Sequence, residues 1–187
     1  MELEVSAEAK DRTLNRRVAI TVVILSVFTG LCTIKDGNIV QAMQQAKADS
    51  VDHWGEYQAT KTKWHIAQTA RSEIILIAGA RPSPPALATL RSLDSEIAKY
   101  KAAAPRLAAQ AQGFANQYDA INVHDDQFDA SDALVSTAIS LSAVAALVES
   151  FGLLTVAWLF GAMGLFMGVC GFAGWAFHPD ILSNFLG

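Results

Sequence analysis

The stretch from residue 150 to residue 177 reads SFGLLTVAWLFGAMGLFMGVCGFAGWAF and contains no Asp, Glu, Lys or Arg. It is longer than the roughly 20 apolar residues that a helix needs to cross a bilayer. Glycines recur through it at positions 152, 161, 164, 168, 171 and 174. The stretch therefore predicts a transmembrane helix at 151–177. The rest of the chain is then interpreted as part of a protein embedded in a lipid bilayer.

Two further apolar runs precede this one, at 18–34 and 133–148. The basic pair Arg16-Arg17 before the first run is also typical of a signal peptide, but no small-x-small cleavage site follows, so we expect an uncleaved span. The second run is rich in Ala and Ser and is separated from 151–177 by a short turn around Glu149. These two runs together predict a transmembrane hairpin.

The segment 35–132 differs sharply in composition, because it holds most of the charged residues of the chain. Apolar and aromatic residues recur at helical spacing on both sides of a proline-rich break at 82–85, and no alternating strand pattern is present. We expect an extramembrane antiparallel helical hairpin, coiled-coil-like, with a kink at Pro105. The predicted fold class is all-α, with three transmembrane helices plus this hairpin.

Acidic residues gather just before the run at 133–148. The candidates for a divalent cation site are His124, Asp125, Asp126 and Asp129, since carboxylates on one helix face can bind a hard cation. The alternative is that these acids open a helix and complement its dipole, and we favour it because their spacing matches no established metal site. Asp49 and His53 form a similar pair one helical turn apart, for which a solvated polar face is favoured.

Catalysis is not supported by the sequence. No Ser-His-Asp or Cys-His arrangement can be assembled, and no charged residue lies deep inside a span, where proton relays and coupled transporters place one. We expect no enzyme activity, no cofactor and no metal. The net charge of -4 also argues against a nucleic-acid partner.

Helix packing is the strongest interaction signal. Gly161, Gly164, Gly168 and Gly171 share one helix face, and Gly164-x-x-x-Gly168 is the small-residue pattern that lets helix backbones approach closely. This face could pack within the chain or between subunits. In the hairpin, the stripe formed by Trp54, Tyr57 and Trp64 is interpreted as a packing seam rather than a ligand cradle.

The stretch ADSVDHWGEYQATK at 48–61 resembles an uncharacterised bacterial membrane family, DUF4337, which shows A-x-x-x-x-x-W-x-x-Y-Q-A-K after its first span. Trp54, Tyr57, Gln58 and Ala59 match, whereas Thr60 stands where the family has Lys. The His124-Asp-x-x-Phe128-Asp129 stretch is also similar, and the resemblance extends over about 12–174. It implies three spans around a coiled-coil-like loop and no known activity.

Basic residues concentrate before the first span, so the positive-inside rule predicts a cytoplasmic N-terminal segment at 1–17 and a periplasmic hairpin. The C-terminal tail, 178–187, would then also face the periplasm or exterior. With the resemblance, this places the protein in a bacterial inner membrane as a multi-pass protein. The expected function is a non-enzymatic scaffold or accessory subunit that assembles with itself or with a larger membrane complex through its helical hairpin and its Gly-rich transmembrane face. The alternative is a subunit of a passive channel or transporter whose helices ring a pore.

Overall fold

The computed structural model describes residues 2–175 and residue 177, with side chains from residue 12 onward. Its elements are helix α1 (Glu2–Ala78), helix α2 (Pro84–Leu147) and helix α3 (Phe151–Ala173), with no strand among the described residues. All three helices are long and apolar enough to cross a membrane. The predicted tail at 178–187 lies outside the described residues, as do Met1 and Ala176.

Helix α1 joins two segments that the sequence separates. It contains the predicted span at 18–34 together with the first half of the predicted hairpin. Between residues 12 and 78 the chain has no proline, so no residue there removes a backbone donor or forces the helix to end. Helix α2 likewise contains the second half of the hairpin and the span at 133–148, with Pro105 in its interior.

The chain forms two compact units, residues 43–119 and residues 1–42 with 120–187. The first of these, here called the hairpin unit, begins eight residues after the predicted hairpin boundary at 35 and ends before the acidic residues. The acidic residues therefore belong to the second unit, here called the apolar unit. Each unit is described by itself below.

The hairpin unit is two antiparallel helical segments joined through residues 79–83. Buried and half-buried positions alternate at spacings of three and four along both segments, which is the heptad pattern of a coiled coil. On α1 these positions are Met43, Ala46, Ser50, His53, Tyr57, Thr60, Trp64, Ala67, Arg71 and Ile74. On α2 they are Leu90, Leu93, Ile97, Tyr100, Ala104, Leu107, Ala111, Phe114 and Tyr118.

One aromatic residue of the predicted stripe lies outside this seam. His53 occupies the seam position, and its ring contacts Phe114 with centroids 5.1 Å apart. Trp54 is 37% exposed and packs edge-to-face on Tyr57. A coiled-coil pattern places a contact residue every three or four positions. His53 and Trp54 are neighbours and both fit this spacing, so the sequence pattern alone did not show which of them lies in the seam.

The apolar unit is a bundle of the N-terminal part of α1, the C-terminal part of α2, and α3. Three clusters of buried side chains join the helices. The first contains Leu14, Val18, Ala145 and Leu154; the second contains Leu25, Val135 and Ala138; the third contains Ala130, Leu134 and Met167. Large aliphatic side chains on the outside of α1, such as Val23 and Val27, are more than 60% exposed, as expected of a lipid-facing surface.

The turn between α2 and α3 is a Schellman motif, in which a left-handed residue ends a helix. Glu149 has a φ of 53°, and the Ser150 N–H donates to the Ala145 carbonyl. Ser150 then caps α3, because its Oγ accepts from the Leu153 N–H at 3.4 Å. At the other end α3 stops at Ala173, four residues before the predicted end at 177, because Gly174 adopts a φ of 67°.

We expect Glu149→Gly to stabilise the fold by about 1 kcal/mol, because glycine adopts the left-handed conformation without the Cβ clash. Glu149→Ala removes the charge but keeps the Cβ, so it should leave the midpoint of thermal unfolding close to the wild-type value. Thermal unfolding in detergent compares the three chains. Equal midpoints for the Gly and Ala variants would show that backbone conformation at this turn does not limit stability.

Candidate functional site

The glycine face of α3 is covered by side chains of the same chain. A Cβ added at Gly161 would lie 3.3 Å from Cδ1 of Leu25, and one at Gly171 would lie 2.8 Å from Cε2 of Phe128. The middle of the face is tighter still. A Cβ at Gly168 would lie 2.6 Å from Cζ of Phe28, a distance that real side chains do not adopt.

Gly164 marks the closest approach between helix backbones. A Cβ there would lie 2.7 Å from Cγ2 of Val135 and 3.1 Å from the backbone oxygen of Ser131. The Ser131 side chain uses this proximity, because its Oγ donates to the Gly164 carbonyl at 2.8 Å. Small residues and an interhelical hydrogen bond are what hold helices together where lipid removes the hydrophobic driving force.

A buried glutamine joins α2 to the end of α3. Gln127 is fully buried, and its Nε2 donates to the carbonyls of Trp175 and Phe177. Its Oε1 lies 3.1 Å from Nδ1 of His124. Since an amide oxygen only accepts, Nδ1 of His124 carries the proton in this contact. The Gln127 side chain therefore fixes where the chain leaves α3, and nothing in the sequence singled it out.

An acidic cluster lies beside this glutamine, with carboxylates from two helices. Asp36 of α1 and Asp125 of α2 are hydrogen-bonded through their side chains, and Asp129 and Asp132 lie close by. One oxygen of Asp36 is buried and has no hydrogen-bond partner within the described part of the chain. A cavity of about 150 Å³ adjoins the cluster, lined by Cys32, Thr33, Asp36, Phe128, Asp129 and Asp132.

Burial and mutual repulsion alter the acidity of this cluster. Burial, followed by the charge of Asp36 and its other acidic neighbours, raises the pKa of Asp125 to about 6. Burial also raises the pKa values of Asp36 and Asp129. Because the pKa of Asp125 is raised, Asp125 takes up a proton more readily than a free Asp, and when protonated it donates to the ionised carboxylate of Asp36. Below a pH of about 6 the pair therefore holds a proton, which removes one of two like charges.

The metal candidates do not converge. No group of three or more His, Cys, Asp or Glu side chains is placed to hold a metal ion among the described residues. His124 is directed to Gln127, and an oxygen of Asp126 accepts from Asn122 at 3.3 Å. The side chains of Asp49 and His53, the other candidate pair, have different partners. His53 Nδ1 contacts the Asp49 backbone carbonyl, whereas the Asp49 carboxylate accepts from Gln45.

The remaining aromatic candidates lie in the hairpin unit. Tyr57 and Trp64 occupy seam positions and are half-buried. The Lys61 ammonium lies over the Trp64 ring at 5.1 Å from its centroid, and the His65 ring stacks beside it. The Trp64 Nε1 is buried without a hydrogen-bond partner among the described residues. The Lys61 and His65 contacts of Trp64 both lie within α1.

Residues 14–174 match the model of a family described as a domain of unknown function, DUF4337. The chain belongs to this family. No curated protein and no solved structure matches the chain. The match confirms the resemblance drawn from residues 48–61 and 124–129.

The residues that carried the DUF4337 resemblance occur in both the hairpin unit and the apolar unit. Tyr57 lies in the hairpin seam, and Trp54 packs on it from outside. Phe128 is 2% exposed, packs edge-to-face on Phe172 and fills the space opposite Gly171. His124 positions Gln127. The Phe128–Phe172 contact joins α2 to α3, and His124 contacts Gln127, which bonds to the residues after α3.

Gly164→Ala should destabilise the apolar unit by roughly 1–3 kcal/mol, because the added methyl group overlaps Val135 and the Ser131 backbone. Gly30→Ala is the matched control, since Gly30 also lies in a predicted span and a Cβ there meets no atom within 4 Å. Thermal unfolding in the same detergent compares the two. Equal unfolding midpoints for both variants would contradict the close approach at Gly164.

The raised pKa of Asp125 predicts stability that depends on pH. The folded state holds the proton more tightly than the unfolded state, so the stabilisation is fully present at acid pH and is lost as pH rises from about 4 through about 6. Wild-type protein should therefore unfold at a lower temperature at pH 7.5 than at pH 5.

Asp125→Asn keeps the donor to Asp36 without the titration, so its unfolding temperature should exceed that of the wild type by a few degrees at pH 7.5 and change less with pH. Asp119→Asn removes a charge from an exposed position of the hairpin unit and serves as the control. If the two variants show the same pH dependence as the wild type, the cluster does not control stability.

Proposed function

We propose that this DUF4337 protein is a non-enzymatic membrane scaffold or accessory subunit whose hairpin unit mediates assembly, with a second copy of the chain or with a larger membrane complex. We further propose a bacterial inner-membrane location with the N-terminus and the Glu149 turn in the cytoplasm and the hairpin in the periplasm. The basic residues before the first span, Arg12, Arg16 and Arg17, support this orientation.

The observation that carries the proposal is the exposure of large aliphatic side chains in the hairpin unit. Leu76 is 81% exposed and Ile77 is 87% exposed, and Ile66 is 63% exposed. This unit holds half of the charged residues of the chain, 16 of 32, and such a density of charge does not suit a lipid-facing surface. An apolar surface on a charged, water-facing unit is characteristic of a protein interaction site.

The outer side of α1 in this unit offers a second helix-packing face. Exposed residues without charge recur there at spacings of three and four, on the side away from the seam: Val51, Trp54, Gln58, Thr62, Ile66 and Thr69. Residues three or four apart lie along one side of a helix, and uncharged residues at such positions suit a further helix packed against α1. A second copy of the chain supplies a helix of the same kind.

The glycine face of α3 is not part of the proposed assembly surface. Its four central glycines contact α1 and α2 of the same chain, so a partner would have to displace Phe28 and Phe128 to reach them. The assembly proposal therefore rests on the hairpin unit. The absence of a charged side chain deep in the predicted spans supports a structural role over coupled transport.

Ile66→Asp should weaken self-assembly by at least tenfold, because a charge buried in a helix interface is left without a partner. Ala109→Asp introduces the same charge at an exposed position of α2 and should leave assembly unchanged. Mass photometry of nanodisc-reconstituted protein over a concentration series measures both. A wild-type chain that stays monomeric and co-purifies with no subunit from its native membrane would contradict the proposal.

A further inference from the structure

We infer that the apolar unit holds the headgroup of a zwitterionic phospholipid with a primary ammonium, of the phosphatidylethanolamine type, in a cavity beside the C-terminal end of α3. The cavity has a volume of about 400 Å³. It is lined by Lys35, Asn38, Ile39, Ala42, Ile121, His124 and by α3 residues Gly171, Phe172, Ala173 and Gly174. The inference rests on the apolar helices crossing the bilayer and is independent of the assembly proposed above.

The position of the cavity along the chain matches the level of lipid headgroups. Lys35 is the first residue after the apolar run at 18–34, and α3 ends at Ala173 on the same cavity. Two of the three predicted spans therefore end at its walls. Trp175, which follows α3 and is 55% exposed, is the residue type that concentrates at membrane interfaces.

The cavity presents a positive and a negative wall. The Lys35 ammonium and the Asn38 amide are donors, and they suit the phosphate of a headgroup. The end of α3 lines another part of the cavity, where a helix carries partial negative charge and leaves its last carbonyls without helical donors. A primary ammonium can donate to these carbonyls. The two walls are thus complementary to a zwitterion.

The surrounding charges favour a zwitterion over an anionic lipid. Asp36 and Asp125, with Asp129 and Asp132, lie on the neighbouring side of the same helices. Among the described residues that line the cavity, Lys35 is the only Lys or Arg, so a headgroup with a net negative charge would have a single cation there to offset its repulsion by the acidic residues. A headgroup that brings its own ammonium avoids that repulsion. A choline headgroup has no N–H to donate to the α3 carbonyls.

An apolar part completes the lining of the cavity. Ile39, Ile121 and Phe172 form this part. Phe172 is held by edge-to-face contacts with Phe28 and Phe128. Phe172 therefore belongs to the same aromatic packing that covers the glycine face.

Native mass spectrometry of the purified full-length protein tests the assignment, with phosphatidylethanolamine, phosphatidylcholine and phosphatidylglycerol added separately at equal concentration. We expect phosphatidylethanolamine to give the most abundant bound species. Lys35→Gln should reduce that species about tenfold, the loss expected for one charged hydrogen bond. Ala42→Trp, which fills the cavity from an exposed position, should do the same, and the exposed control Lys63→Gln should not.

Four results would overturn the inference. Equal binding of all three lipids would show contact with acyl chains alone, and stronger binding of phosphatidylglycerol would show a site for an anion. Retention of phosphatidylethanolamine by both Lys35→Gln and Ala42→Trp would place the lipid elsewhere. Displacement of the lipid by inorganic phosphate at millimolar concentration would show that a free phosphate, not a lipid, is the ligand.

Discussion

The apolar unit depends on how closely α3 approaches α2 at Gly164. A methyl group does not fit between Gly164 and Val135, and the Ser131 hydroxyl uses the short separation to donate to the Gly164 carbonyl. Among apolar helices in lipid, contact area and such interhelical hydrogen bonds replace the hydrophobic effect as the source of stability. The neighbouring glycines extend this contact, since Phe28 lies over Gly168 and Phe128 over Gly171.

This close packing determines which surfaces are left for function. The glycine face is occupied within the chain, so the strongest interaction motif of the sequence serves the fold. Polar groups gather instead at one end of the bundle, where Gln127 holds the segment after α3 and the side chains of Asp36 and Asp125 meet. The exposed apolar side chains of the hairpin unit, Leu76 and Ile77 above all, are the surface that supports an assembly role.

The sequence was informative where a long pattern was available. The three apolar runs, the all-α class and the family followed from runs of charge-free residues and from a short aromatic motif. Local detail was harder, because a seven-residue repeat leaves neighbouring residues equivalent, and His53 rather than Trp54 occupies the seam. The end of α3 was also misplaced, since Gly174 is one of several glycines in that run and only its left-handed conformation distinguishes it.

Contacts between distant residues had no signal in the sequence. Asp36 and Asp125 belong to different helices, and a single sequence gives no reason to pair them. Gln127 is an ordinary polar residue in a polar stretch until the fold buries it completely. The continuity of α1 through residue 35 was in principle visible, because no proline interrupts it, but the change from apolar to charged residues was interpreted as a boundary.

The central claim, that α3 packs on α1 and α2 of its own chain, can be tested by cross-linking in lipid. Trp158 Nε1 donates to Thr21 Oγ1 at 2.8 Å, so cysteines at these positions would lie on adjacent helices. Thr21→Cys/Trp158→Cys, with Cys32 and Cys170 changed to Ala, would be reconstituted from a mixture of isotopically labelled and unlabelled chains and joined with a short bifunctional maleimide. We predict cross-linked peptide pairs in which both peptides carry the same label. Pairs that combine a labelled and an unlabelled peptide in statistical proportion would show that the contact forms between chains and would contradict the account.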